Sequence, residues 1–160
     1  DPQGLLRRFD VEGNVSLKKI EDVEILKIID IFKCTTKELS SFVHTSEILS
    51  AVKSLHHHGI GTVIVTRGMK GSVLSHKGRV YRIPACRPEI LIDPTGAGDV
   101  FIGAFLAEYL RNEDVAWCAC VGSAAASFVV EGVGSSSFGE KNAIYERASV
   151  VSKNLRAVDL

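Results

Sequence analysis

An α/β fold built on a mostly parallel sheet is what this sequence predicts, on three observations. Short β-branched runs such as "GTVIVTRG" (61–68) end in turn residues, as buried parallel strands do. Stretches of helical period such as "TSEILSAVKSLHHHG" (45–59) separate those runs. Strands alternating with helices pack as layers of helix on sheet. At 160 residues the chain has the size of a single domain, 1–160, with a real core.

Taken in order, "DPQGLL" opens with turn chemistry at Pro2 and Gly4. From Leu17, "LKKIEDVEILKII" mixes charged and apolar residues at helical spacing, and "KIIDIF" suits a short buried strand. "TTKELSSF" reads as a short helix. In 45–59, Ile48, Val52 and Leu55 line one face, Thr45 is placed to cap and Gly59 to end the helix. "GSVLSHKGRVYRI" (71–83) predicts a hairpin around "HKG". Pro84, Pro88 and Pro94 mark a connecting stretch. Two helices follow, from about Gly98 to Leu110 and from Asp114 to Val130, and a last one begins near Glu140.

Composition narrows the partners. Nineteen Lys and Arg balance nineteen Asp and Glu, so no net field recruits nucleic acid or an anionic membrane. The longest charge-free stretch, "WCACVGSAAASFVV" (117–130), is too short and too rich in Ala and Ser for a membrane span and reads as a closely packed buried helix. Cys34, Cys86, Cys118 and Cys120 are scattered without a CxxC pair. With no secretory signal in "DPQGLLRRFD", the expectation is reduced thiols in a cytoplasmic protein.

The chemistry concentrates in "DPTGAGDVFIGAF" (93–105), where Asp99 follows a Gly-Ala-Gly turn at the mouth of a helix. A helix start presents unpaired N–H groups and partial positive charge, and glycines let a phosphate approach the backbone. Two familiar phosphate motifs fail here. Gly98 and Gly103 have P-loop spacing but no lysine follows, and Gly96, Gly98 and Gly103 do not make the dinucleotide fingerprint. A turn that cradles a transferring phosphoryl group beside a proton acceptor remains. Asp is also common in first helical turns, so the short pattern alone leaves Asp99 open to a purely structural role.

The full stretch "DPTGAGDVFIGAFL" resembles the second signature of the ribokinase-like carbohydrate kinases, the PfkB family. "VIVTRGMKGSVL", "IFKCTTKEL" and "VGSAAASFVVEGVGSS" resemble further family segments in the right order, from Ile28 to about Ser137. The resemblance implies a three-layer ribokinase-like fold and ATP-dependent phosphoryl transfer to a hydroxyl of a sugar, polyol or nucleoside. It implies Asp99 as base and Gly96, Ala97 and Gly98 as anion hole. It places Thr66, Gly68 and Gly71 along ATP, with Ser123 on the adenine side. Glu38 would belong to a Mg2+ water network. Asp93 and Thr95, with the loop at Gly134 and Ser135, would lie near a K+-like ion.

Departures and other readings accompany it. The family's usual Asn three residues before Glu38 is Thr35, and "TTKE" is equally a capping box, so Glu38 stands between structural cap and magnesium network. Adjacent His56, His57 and His58 on a helix cannot all face one metal ion. Cys118 and Cys120 read as small core residues. Arg67 reads as a nucleotide contact or a solvated charge, and Arg7 and Arg8 as surface charges ahead of a contact to substrate or phosphate. The chain resembles the C-terminal half of a family member; the other signature and the sugar-binding lid are not among these residues. One alternative is therefore a nucleotide-binding module without turnover. Another is a fragment whose sheet edges a partner or a second copy, as a homodimer, would cover.

Overall fold

The structure is a computed structural model that describes residues 1–20, 24–43, 45 and 47–158, with the backbone alone at 135. The chain opens with a one-turn helix α1 (Gln3–Leu6), then β1 (Arg7–Phe9) and β2 (Val15–Leu17), a 3-10 turn at Glu24–Ile28, β3 (Ile31–Thr35), α2 (Thr36–Leu39) and α3 (Ile48–His57). There follow β4 (Thr62–Thr66), a 3-10 turn at Gly68–Lys70, β5 (Ser72–His76) and β6 (Arg79–Ile83). The last third is helical: α4 (Ala97–Tyr109), α5 (Val115–Val129), a 3-10 turn at Gly134–Ser137 and α6 (Lys141–Ser152), closed by β7 (Arg156–Val158). The larger sheet has strand order β3-β4-β5-β6-β7. Contacts divide the chain into two compact units, one holding Asp1–Arg67 and Ser75–Val80, the other Gly68–Leu74 and Tyr81–Val158.

In the first unit β3 and β4 pair in parallel from Ile31↔Thr62 to Thr35↔Thr66, joined through α2 and α3. Phe32, Cys34, Val63, Ile64 and Val65 are all buried, as in parallel strands covered on both sides, and the one charged residue of the two strands, Lys33, is buried too and paired with Asp1. From α3, Val52 and Leu55 of the predicted face are buried, together with Ala51, while Ile48 is half-buried. The helix begins at Ile48 with Glu47 as N-cap; Thr45 is not its cap but accepts from the Glu47 N–H at 3.2 Å, one step upstream. Gly59 leaves the helix at φ +96, the left-handed exit that glycine makes without strain. The predicted hairpin turns at Lys77 and Gly78, both at positive φ, as a two-residue type I′ turn requires.

The helical reading from Leu17 is corrected. Val15–Leu17 pairs antiparallel with Arg7–Phe9 as β2, and of the rest only Glu24–Ile28 is helical, as a 3-10 turn. Residues 21–23 lie outside the described part. The β1–β2 turn is built by Asp10, whose Oδ1 accepts from Glu12 N at 2.9 Å and Asn14 N at 2.8 Å while Gly13 takes φ +83. These bonds hold the Asp10 carboxyl below its usual range, the Asn14 side-chain and backbone donors foremost. Every residue of both strands is exposed, so no in-out alternation marked them in the sequence.

The second unit is a stack of α4, α5 and α6. Asp114 caps α5, accepting from Ala116 N at 2.9 Å and Trp117 N at 3.1 Å. The small buried residues of α5, among them Ala119, Cys120, Gly122, Ala124 and Ala125, let neighbouring helices come close. At Gly122 the approach is close: an added Cβ would stand 2.8 Å from the Phe101 carbonyl oxygen of α4. Gly122→Val is therefore expected to cost about 2 kcal/mol, lowering Tm by about 4–8 °C in a thermal melt. Wild-type melting would show that α4 and α5 separate without cost.

Candidate active site

The predicted phosphate turn forms at the start of α4. Ala97 N donates to Pro94 O at 3.2 Å, and Gly96 sits at φ +80, ψ −8, the third position of a type II turn. Gly96 is also the N-cap, so Ala97, Gly98 and Asp99 are the first three helical residues. Among the described residues the N–H groups of Gly96, Gly98 and Asp99 have no acceptor, whereas that of Ala97 is spent on the turn. Asp99 itself is exposed. The apolar residues that follow anchor the helix, with Phe101 and Phe105 buried. Open donors, the positive end of a 13-residue helix and an exposed carboxylate thus meet within four residues.

The approach to this turn is tied down by polar bonds. Asp93 Oδ1 accepts from Thr95 N at 2.9 Å, and the Thr95 side chain and backbone hold the Asp93 carboxyl below its ordinary range. The carbonyl of Val130, at the end of α5, accepts from both Ile92 N (2.8 Å) and Asp93 N (3.2 Å). One residue on, Glu131 Oε1 accepts from Glu89 N at 2.8 Å and from Arg147 Nη1 of α6 at 2.7 Å. Burial pushes the Glu131 carboxyl up, but these bonds outweigh it and leave it below the usual range.

Gly68 (φ +55) and Gly71 (φ +80) shape a second loop, closed by Gly71 N donating to Gly68 O at 2.9 Å. A Cβ on Gly71 would lie 2.1 Å from the Ile83 carbonyl oxygen. Ser123 of α5 donates to Pro84 O at 3.1 Å and accepts from Cys86 N at 2.9 Å, fixing the chain where it leaves β6. Gly134, at φ +62, opens the 3-10 turn beyond α5.

In the first unit, Thr35 and Thr66 are register partners at the carboxyl ends of β3 and β4. Thr66 Oγ1 donates to Cys34 O at 3.3 Å. Glu38 completes the capping box: its N–H donates to Thr35 Oγ1 at 3.2 Å and its Oε2 accepts from Thr35 N at 2.7 Å.

The sequence pattern of the pfkB family carbohydrate kinases matches residues 9–142. The chain belongs to this family. It is 36% identical over 110 residues to a nucleoside kinase of Methanocaldococcus jannaschii, an overlap of 69% of this chain and 36% of that protein. The crystal structure of M. jannaschii nucleoside kinase, an archaeal member of the ribokinase family, superposes with a TM-score of 0.68 at 31% identity, covering 79% of this chain and 42% of that one. The ribokinase of Arabidopsis thaliana, complexed with ribose and ATP, superposes at 0.71 and 26% identity, over 81% of this chain and 46% of its own. The fold is thus ribokinase-like, and the chain spans less than half the length of these relatives.

Against the family's expected site, this pfkB chain brings Gly96, Ala97, Gly98 and Asp99 into one turn, with Asp93 and Thr95 bonded to each other just before it. It also brings Asp93 to the end of α5, where the loop to Gly134 begins; the Ser135 side chain lies outside the described part. Gly68, Gly71 and Ser123 belong to the same unit, and Glu38 and Thr66 to the other. Two of the three adjacent histidines are used separately: His56 Nδ1–H donates to Ile60 O at 2.6 Å and its Nε2 faces Ser75 Oγ at 2.7 Å, while His57 Nδ1–H donates to Lys53 O at 2.7 Å. All four cysteines are free thiols, and burial pushes Cys34 and Cys120 up to about 12 and Cys118 to about 11. Arg7 and Arg8 are exposed on β1, and Arg67 is engaged in an interaction of its own. Among the described residues no helix is long and apolar enough to cross a membrane. The residues that sequence reading missed are Glu89, Glu131 and Arg147; only the chemistry of opposite charge was available to find them.

Proposed function

We propose that this chain carries the phosphate-binding and proton-accepting part of a kinase that passes a phosphoryl group from ATP to a hydroxyl of a nucleoside or sugar. The observation that carries the reading is the α4 start, where Gly98 and Asp99 offer open N–H donors beside an exposed Asp99 carboxylate. Donors on fixed backbone cost no reorganisation as negative charge shifts during transfer. They hold the phosphate oxygens, and the type II turn at Gly96 aims them. Asp99 takes the proton of the attacking hydroxyl as that oxygen bonds to phosphorus and the bond to the departing ADP oxygen breaks. The anion hole is then read as Gly96, Gly98 and Asp99, because the Ala97 N–H is engaged with Pro94.

Magnesium bound with ATP neutralises phosphate charge. Among the described residues no group of three or more His, Cys, Asp or Glu could hold a metal ion. An ion that arrives on ATP takes its ligands chiefly from phosphate and water, so no such group is required of the chain; Glu38, of the other unit, spends its Oε2 on its cap. Toward a monovalent cation, Asp93 of the expected residues has its Oδ1 engaged by Thr95 N. No step is assigned to such an ion. Nucleoside and sugar are the acceptor classes supported, by the nucleoside kinase and the ribokinase among the relatives.

Calorimetric titration with Mg-ATP tests the reading. Saturable binding by the chain, abolished by crowding the turn with Gly98→Val, is the expected result. No heat from a chain with an intact circular dichroism spectrum would remove the nucleotide site from these residues.

A further inference from the structure

We propose that Arg147 is a positioning residue for the catalytic turn, clamping segment 89–93 to the end of α5; the proposal rests on the kinase reading above. The segment leads directly into Pro94 and the type II turn, so its placement sets where Gly98 and Asp99 point. It has no apolar anchor: Ile90, Leu91 and Ile92 are 59%, 58% and 52% exposed. What holds it is polar. Glu89 N donates to Glu131 Oε1, and Ile92 N and Asp93 N donate to Val130 O. Both acceptors lie in the two residues that follow α5.

Arg147 organises this contact from α6. Its Nη1 donates to Glu131 Oε1 at 2.7 Å and to Ser127 Oγ at 2.9 Å, and its Nη2 to Glu131 Oε2 at 3.3 Å and Glu89 Oε1 at 3.4 Å. The guanidinium lies over the Phe128 ring, 3.6 Å from its centre, so its plane is set by stacking as well as by hydrogen bonds. Arg147 and Glu131 are 18% and 15% exposed, so the pair is shielded from much of the solvent. One cation therefore joins two carboxylates that would otherwise repel. Without it, the acceptor that holds Glu89 N loses its orientation, and among the described residues the Val130 carbonyl is left to tie the segment. Lysine keeps the charge but neither the fork nor the stacking.

Hydrogen exchange and steady-state kinetics on the full-length protein carrying Arg147→Met or Arg147→Lys test this. In Arg147→Met, the amides of Glu89, Ile92 and Asp93 are expected to exchange about tenfold faster or more, with those of β3 and β4 unchanged. Turnover falls about tenfold while the KM for Mg-ATP stays within about threefold, since the turn is displaced and not dismantled. Arg147→Lys recovers part of the turnover, and it serves for the same readings if the methionine variant does not fold. A folded variant with wild-type exchange at 89–93 would overturn the proposal, and so would protection lost evenly across the chain. A wild-type protein that phosphorylates nothing would remove the kinase reading alone, because the exchange result stands without activity.

Discussion

Asp99→Asn in the full-length protein is expected to lower phosphoryl transfer by about a hundred- to ten-thousand-fold while Mg-ATP still binds. The groups proposed to hold phosphate are backbone N–H donors at the start of α4, and the substitution touches none of them. Asparagine keeps the volume and the polar character of the position. It removes the charge and, with it, the ability to take up a proton. The side chain is exposed and its carboxylate has no intrachain donor among the described residues, so no buried partner is stranded and the fold should melt near the wild-type temperature. The comparison that decides is kcat against Mg-ATP affinity: loss of the first with retention of the second assigns the proton. Undiminished turnover would remove Asp99 as base, and loss of both would return it to holding the turn.

How much of this was legible follows from the range of each interaction. Gly96, the Thr35–Glu38 capping box and the Gly59 helix exit are set within four residues, and their spacing is visible in the sequence. The order of strands and helices showed in apolar runs, since β3 and β4 are buried on both faces. The β1–β2 hairpin has no buried face, so periodicity could not mark it; only Asp10, Gly13 and Asn14 signalled a turn. The Arg147 clamp was illegible for another reason. Its partners lie 16 and 58 residues away, and only the packing of α6 against α5 brings them together. Ala97 shows the finer limit: the family resemblance implies it in the anion hole, while the turn geometry uses its N–H on Pro94.

Gly71→Ala is expected to be strongly damaging, costing about 3–5 kcal/mol and lowering Tm by about 10 °C or more. Three constraints converge on it. At φ +80 an L side chain is strained whatever the space around it. The added Cβ would sit 2.1 Å from Ile83 O and 2.8 Å from Ala85 N, both backbone atoms with no rotamer to yield. Nor can that backbone retreat cheaply, because Ser123 holds Pro84 O at 3.1 Å and Cys86 N at 2.9 Å against α5. The family resemblance assigns Gly71 to the nucleotide, yet the fold demands glycine there for its own reasons. The two roles separate experimentally. If the folded fraction of Gly71→Ala binds Mg-ATP with wild-type affinity, the residue is there for packing. If affinity falls in a variant that melts like wild type, the steric argument fails and the glycine is kept for the ligand.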